Sequence, residues 1–155
     1  MESSTKEEKE MIDNELKYVT SIKDKKRLGQ VWTPSSVVKL MMSKVDDSIW
    51  SNPSKTFLDP TMGSGNIILN ILENRIVNHK VKPIAALKTC YGIELDKDTL
   101  VFAKKRIKEY IAQFTNENID DILKHNFVHS NFFDWDIENW RKKKSGGLHN
   151  FIKNG

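Results

Sequence analysis

Apolar residues recur along the chain at two different spacings, and these spacings predict alternating strands and helices. Short apolar runs at 56–59, 88–95 and 127–133 have the length and composition of buried strands. The intervening segments 66–78 and 97–114 place apolar residues every three or four positions, as amphipathic helices do. This alternation predicts an α/β fold with a parallel, doubly wound, Rossmann-like sheet, in which right-handed crossovers place the strands in the order 3-2-1.

Two further helices are predicted before the first strand. Residues 6–22 carry apolar side chains at helical spacing among charges, which indicates an amphipathic helix ahead of a basic connector. Thr33 as the N-cap and Pro34 at the first helical position predict the start of the next helix. The predicted organisation is an N-terminal segment 1–27, a domain over 28–140 and a basic tail 141–155.

Composition restricts the class of protein. The 155 residues are 38% hydrophobic, enough for one domain with one core. No apolar run approaches the ~18 residues of a membrane span, and the acidic, polar start of the chain is not typical of a signal peptide. The single cysteine, Cys90, excludes a disulfide framework and a Cys/His metal cluster. We expect a buried strand cysteine in a cytoplasmic protein.

The net charge of +4 is concentrated at the end of the chain. Residues 137–155 hold five basic residues and one acidic residue. Four of the basic residues are consecutive and could contact phosphate groups, namely Arg141, Lys142, Lys143 and Lys144. A solvated, flexible run would have the same composition, so both interpretations stay open.

A candidate ligand site follows the first predicted strand, in the stretch "TFLDPTMGSGN". We call residues 59–66 the glycine loop. Gly63 and Gly65 allow close approach of a ligand to the backbone, and the N-terminus of the next helix favours a negative group there. An ordinary tight turn could also contain Gly-Ser-Gly. No Gly-Lys-Ser/Thr follows, and Ile68 stands where the dinucleotide fingerprint needs its third glycine.

The ends of the second and third predicted strands carry matching polar groups. Glu94 could accept hydrogen bonds from both hydroxyls of a ribose, although a strand-end glutamate could also face solvent. Asn131 has an amide suited to an adenine edge, and Phe132 offers a stacking face. We expect Phe133 to lie in the core, and the residues flanking Glu94, which are Ile93 and Leu95, to pack inward.

Four ordered motifs resemble the first half of the N6-adenine DNA methyltransferases, the S-adenosylmethionine-dependent enzymes of restriction–modification systems. They are "GQVWTP", "FLDPTMGSGN", "YGIELD" and "NFFDWD", and the resemblance covers about residues 28–140. Two departures stand out. Thr61 and Met62 replace the small residue and the cysteine usual in the family's loop, and Asn131 stands where aspartate is most common.

The resemblance implies S-adenosylmethionine as cofactor and assigns a role to each matching position. Thr33 closes over the methionine end of the cofactor, and Glu94 holds its ribose. Asn131 and Phe132 face its adenine. The remaining implied cofactor contacts are Asp59, Pro60, Gly63 and Gly65.

The family's catalytic motif, a polar residue followed by Pro-Pro and an aromatic, has no counterpart in the sequence. None of the four prolines are adjacent, and none follow Pro83. We therefore expect a truncated cofactor-binding part that is inactive without a complementing methyltransferase chain or restriction–modification subunit. Leu148, Phe151 and Ile152 could be the vestige of a fourth strand, or a frayed tail.

Two other functions stay open at this point. The chain could be a non-enzymatic decoy or regulator that binds a restriction–modification subunit through an exposed sheet edge. It could also bind DNA without sequence specificity through Arg141 to Lys144. A small-molecule methyltransferase is possible from the fold alone, but the adenine-type motifs argue against it.

Overall fold

Three short parallel strands organise the chain in the computed structural model, which describes residues 35–144. They are β1 (Phe57–Asp59), β2 (Cys90–Glu94) and β3 (Phe127–His129), in the sheet order β1-β2-β3. The register places Asp59 beside Gly92 and Glu94 beside His129. The carboxyl ends of the three strands therefore meet at one edge of the sheet, where ligands bind in folds of this type.

Helices occupy the segments between these strands and before the first one. They are α1 (Ser35–Met42), α2 (Asp47–Ser51), α3 (Asn66–Glu73), α4 (Pro83–Lys88), α5 (Lys97–Ile111) and α6 (Asp120–Asn126). A π-helical turn (Asn74–Asn78) continues α3. The mixed α/β architecture and the two long helices between the strands agree with the prediction. Residues 1–34 and 145–155 lie outside the described residues. The predicted N-terminal helix, Thr33 and the possible vestige of a fourth strand fall in these two ranges.

The helix α5 shows why the hydrophobic spacing was informative. Its N-cap Asp96 accepts a hydrogen bond from the backbone N–H of Thr99 at 2.9 Å, which fixes the start of the helix. Its apolar stripe then lies against the sheet, with Leu100, Ala103, Ile107 and Ile111 all buried. Phe114, the last residue of the predicted stripe, lies beyond the end of the helix and is exposed.

The core lies between the sheet and the helices that pack on it. Its fully buried apolar side chains include Ile68, Leu72, Leu87, Cys90, Ile107 and Phe127. Cys90 is a buried residue of β2, as predicted, and burial raises the pKa of its thiol to about 12. A thiol with this pKa is protonated and packs as a small apolar side chain.

Three expectations about strand ends were wrong. The third strand ends at His129, because the side-chain oxygen of Asn131 accepts the N–H of Phe133 at 3.0 Å and starts a 3₁₀ turn (Phe132–Asp134). Phe133 is consequently 76% exposed instead of buried. Leu95 is 67% exposed because β2 ends at Glu94, so strand alternation no longer directs its side chain. Ile93 is buried as predicted.

The beginning of the predicted basic tail forms part of a small hairpin. β4 (Trp135–Asp136) pairs in antiparallel orientation with β5 (Arg141–Lys142). The hairpin packs on the sheet through Trp140, whose ring meets that of Tyr91 edge to face at 4.7 Å. Across residues 35–144, no helix has the length and apolar character that crossing a membrane requires.

Candidate functional site

The carboxyl ends of β1 and β2 bring the glycine loop and Glu94 together. The backbone N–H of Gly63 donates to Glu94 Oε2 at 2.7 Å. The other carboxylate oxygen, Oε1, accepts the N–H of Asp96 at 3.0 Å. Glu94 is only 8% exposed, so it does not face solvent. The site is therefore built around a buried carboxylate whose orientation is fixed by two backbone donors.

The backbone of the glycine loop requires its two glycines. Gly63 has φ of +52° and Gly65 has φ of +87°, both in the left-handed region that disfavours other residues. The loop is anchored to the sheet by the N–H of Met62, which donates to the carbonyl of Ile93 at 2.9 Å. It closes on itself where the N–H of Gly65 donates to the carbonyl of Met62 at 2.9 Å. The loop thus folds back onto the end of β2.

Gly92 is a residue of the site that sequence reasoning missed. The side chain of Met62 is buried over Gly92, and a Cβ at that position would collide with the Met62 sulfur. The Cβ would also lie 3.1 Å from a ring carbon of the fully buried Phe127. The glycine before Ile93 in "YGIELD" was the available signal, since glycine inside a strand often marks close approach of another segment.

Asp59 is buried at the start of the glycine loop. Its carboxylate accepts the N–H of Thr61 at 3.1 Å, and Pro60 between them is half-buried. Burial raises the pKa of Asp59, and the nearby charge of Glu94 raises it further, while the Thr61 hydrogen bond acts in the opposite direction. Two carboxyl groups therefore lie at the same edge of the sheet in different hydrogen-bonding environments.

The segment after β3 lies beside the end of β2. The N–H of Ser130 donates to the backbone carbonyl of Glu94 at 3.0 Å, which brings Asn131 to this edge of the sheet. Asn131 is exposed, and the exposed ring of Phe132 meets that of Phe133 edge to face at 5.5 Å. The side-chain oxygen of Asn131 accepts a hydrogen bond within the 3₁₀ turn, so the side-chain NH₂ group is the part that can donate to a ligand.

The four basic residues from Arg141 to Lys144 are exposed on the hairpin and just after it. Two of them have partners inside the protein. Arg141 Nε lies 3.8 Å from a carboxylate oxygen of Asp136, and Lys143 Nζ donates to the carbonyl of Phe133 at 2.8 Å. The structure does not bring these residues to the glycine loop through any contact within residues 35–144.

The geometry fits a ligand that carries hydroxyl groups and a carboxylate. The Glu94 carboxylate has about four acceptor positions, of which two are occupied, so up to two remain for hydroxyl donors that reach its small exposed fraction. The helix α3 begins after Gly65, which has no side chain to cap it, and its first N–H groups can meet a carboxylate. Among residues 35–144 no cluster of three or more His, Cys, Asp or Glu side chains could hold a metal ion.

The fold and the site define an α/β protein with a candidate ligand site at the carboxyl ends of parallel strands. A family model described as N-6 DNA Methylase matches residues 15–139, which is most of the chain. The chain belongs to the N-6 DNA methylase family, and the resemblance inferred from its motifs is confirmed. Its function is therefore related to DNA methylation at N6, in a family whose members use S-adenosylmethionine. No curated protein and no solved structure matches the chain.

Proposed function

We propose that this chain is the S-adenosylmethionine-binding part of an adenine-specific DNA methyltransferase. The observation that carries the proposal is the 2.7 Å hydrogen bond between the Gly63 N–H and the Glu94 carboxylate. It joins two motifs to which the resemblance assigns cofactor contacts, although Gly63 and Glu94 are separated by 31 residues in sequence. The three parallel strands with their connecting helices support a Rossmann-like arrangement of the whole domain.

The residues at the carboxyl edge of the sheet have different roles in the proposed complex. Glu94 accepts hydrogen bonds from the ribose hydroxyls, while Gly63 and Gly65 let the backbone approach the cofactor. The amide of Asn131 and the ring of Phe132 meet the adenine. Thr33 would close over the methionine end, from a position outside the described residues. When bound, S-adenosylmethionine supplies a methyl group activated on a sulfonium.

Methyl transfer is proposed to need a second polypeptide segment. In the family, the Pro-Pro-aromatic motif holds the target amine and stacks on the flipped adenine. The 155 residues contain prolines only at positions 34, 53, 60 and 83, so they include no Pro-Pro-aromatic motif. A complementing methyltransferase chain is the proposed partner.

Isothermal titration calorimetry with S-adenosylmethionine tests the proposal. We expect saturable binding to the wild-type chain and an affinity lower by about tenfold or more in Glu94→Ala, because the charge-assisted acceptor for the ribose is lost. Glu117→Ala, which alters an exposed loop carboxylate, is the matched control and should bind as the wild type does. Absence of binding by the wild-type chain at millimolar cofactor would contradict the proposal.

The edge of the sheet supports a second candidate function, that of a decoy or regulator. Within residues 35–144, β1 is hydrogen-bonded to β2 alone, and its Leu58 is exposed. An open edge of this kind can pair with a strand of another chain, such as a restriction–modification subunit. Affinity capture from the native cell should then recover such a subunit, and recovery should persist in Glu94→Ala. Recovery that depends on Glu94 and added cofactor would favour the first function.

The hairpin supports a minor role in DNA binding. Exposed Lys142 and Lys144 could each neutralise a phosphate of any duplex. Replacing all four basic residues from Arg141 to Lys144 by alanine should lower duplex affinity at low salt and flatten its salt dependence. Unchanged affinity in that variant would exclude this role.

A further inference from the structure

The glycine loop is held from two sides, by the sheet and by the helix α5. The sheet side uses Met62 and Gly63, through Ile93 and Glu94. On the other side, Arg106 of α5 donates from Nη1 to the backbone carbonyl of Ser64 at 2.8 Å. The same nitrogen donates to Asn66 Oδ1 at 2.7 Å. One guanidinium nitrogen thus bridges the middle of the loop and the first residue of α3.

The position of Arg106 follows from the packing of α5 behind the loop. Ala103 and Ile107, on the same helix, are fully buried and lie 3.5 and 3.9 Å from where a Cβ of Gly65 would be. Arg106 lies next to them, half-buried, with its guanidinium carbon 5.8 Å from the centre of the Phe102 ring. A planar guanidinium held by an aromatic face and two acceptors has a restricted orientation.

Helix stability does not explain a cation at this place. The N-terminus of a helix carries partial positive charge, so a cation beside the first residue of α3 is electrostatically unfavourable for that helix. The hydrogen bonds to Ser64 and Asn66 offset this effect. Because of these hydrogen bonds, the carbonyl of Ser64 is fixed in place between Gly63 and Gly65, which both have left-handed backbone conformations.

We propose that Arg106 is a positioning residue for the cofactor: by holding the Ser64 carbonyl and the Asn66 side chain, it keeps the glycine loop in the conformation that binds S-adenosylmethionine. This inference rests on the proposed function for the identity of the ligand. The held conformation itself is a property of the free protein and can be measured without ligand. Arg106 acts through its hydrogen bonds to the loop, whereas Glu94 contacts the cofactor in the proposed complex.

Arg106→Met tests the inference because it keeps an unbranched apolar side chain on α5 and removes the guanidinium with its hydrogen bonds and charge. We expect the affinity for S-adenosylmethionine, measured by calorimetry, to fall about tenfold or more. We also expect the amides of residues 63–66 to exchange with solvent faster, while the amides of β2 exchange at the wild-type rate. Arg106→Lys should recover part of both properties, since one donor can still reach one acceptor. Lys105→Met, an exposed neighbour on α5, should leave both unchanged.

Two results would contradict a positioning role for Arg106. Wild-type affinity and loop exchange in Arg106→Met would overturn the inference. An equal increase in exchange at the loop and at β2 would also overturn it, because Arg106 would then stabilise the domain in general. If Arg106→Met does not fold, the same two comparisons are made on Arg106→Lys and on Asn66→Ala, which removes one acceptor. If the wild-type chain binds no cofactor, the proposed function fails, and loop exchange alone decides whether Arg106 holds the loop.

Discussion

Glu94 accepts one backbone N–H on each carboxylate oxygen, from Gly63 and from Asp96. Hydrogen bonds to a charged acceptor are about twice as strong as neutral ones, so this side chain fastens the glycine loop to the end of β2. The place of Glu94 at a strand end was predictable from the sequence. Its contact with Gly63 was not, because that depends on a loop that folds back over the sheet.

Gly92 illustrates the same limit at a position with no side chain. Gly92→Ala should lower the free energy of unfolding by about 1 to 3 kcal/mol, because the added methyl group overpacks against Met62 and Phe127. Urea denaturation followed by circular dichroism measures the change.

A double variant provides the control for this prediction. Met62→Ala leaves a cavity by itself but removes the atom that a Cβ at position 92 would meet first. The combination of Gly92→Ala with Met62→Ala should therefore cost less than the sum of the two single changes. Additive costs would show that the two positions do not compete for the same space.

Asp59 should respond to pH in a direction set by its burial. Because burial raises its pKa in the folded state, the charged form destabilises the fold at pH values above the ordinary value of 3.8. Asp59→Asn removes this cost and can still accept the Thr61 N–H. We expect the variant to melt at a higher temperature than the wild type at pH 7, with a difference that shrinks as the pH falls toward 4. Thermal melts between pH 4 and 8 measure the trend, and a variant less stable at pH 7 would contradict it.

Hydrophobic spacing found the long helices and missed the short ones. α2, α4 and α6 have five, six and seven residues, too few for a repeat of 3.6 to become visible. Pro83 at the first position of α4 was the signal that could have found that helix. The hydrophobic pattern could not predict the early end of β3 either, because that end depends on a hydrogen bond between the Asn131 side chain and the backbone.

Arg75 connects several of these short elements from inside the protein. It lies in the π-helical turn, is fully buried and donates to the carbonyls of Trp50 at 3.3 Å and Asn52 at 2.8 Å. These carbonyls lie in the last turn of α2 and just after it, and the Asn52 carbonyl also accepts the N–H of Lys55 at 3.3 Å. Arg75 also donates to Thr89 Oγ1 at 2.6 Å, at the end of α4, and covers the ring of Phe57 at 4.8 Å.

Arg75→Met should therefore destabilise the domain strongly. It leaves the buried carbonyl of Trp50 without its donor and removes the hydrogen bonds to Asn52 and Thr89, and we expect a loss of about 3 kcal/mol in the free energy of unfolding. Chemical denaturation measures the loss, with Lys88→Met as the control, because Lys88 is a cation exposed at the end of α4. A change below about 0.5 kcal/mol, typical of surface substitutions, would mean that water replaces the guanidinium.

The site at the carboxyl edge of the sheet depends both on local motifs and on packing between distant parts of the chain. The sequence motifs predicted that the glycine loop and Glu94 lie together at the carboxyl ends of the strands, and the hydrogen bond from Gly63 to Glu94 joins them there. Two residues from other elements support the site: Gly92 of β2 makes room for Met62, and Arg106 of α5 hydrogen-bonds to Ser64. Packing partners distant in sequence leave no local pattern, which is why the loop could be predicted and its supports could not.

Cofactor binding and methyl transfer should be separable in this chain. The 155-residue chain should bind S-adenosylmethionine, and cofactor at a hundredfold its dissociation constant should add about 2.7 kcal/mol to the free energy of unfolding. The same preparation, incubated with adenine-containing duplex DNA and cofactor labelled in the methyl group, should leave no label in the DNA, because no adjacent prolines are present to hold the target amine. Thermal melts and scintillation counting measure the two quantities.

Glu94→Ala should lose most of the stabilisation, which links the stabilisation to the site at β2. Label in the DNA would show that this chain transfers the methyl group by residues other than the family's motif.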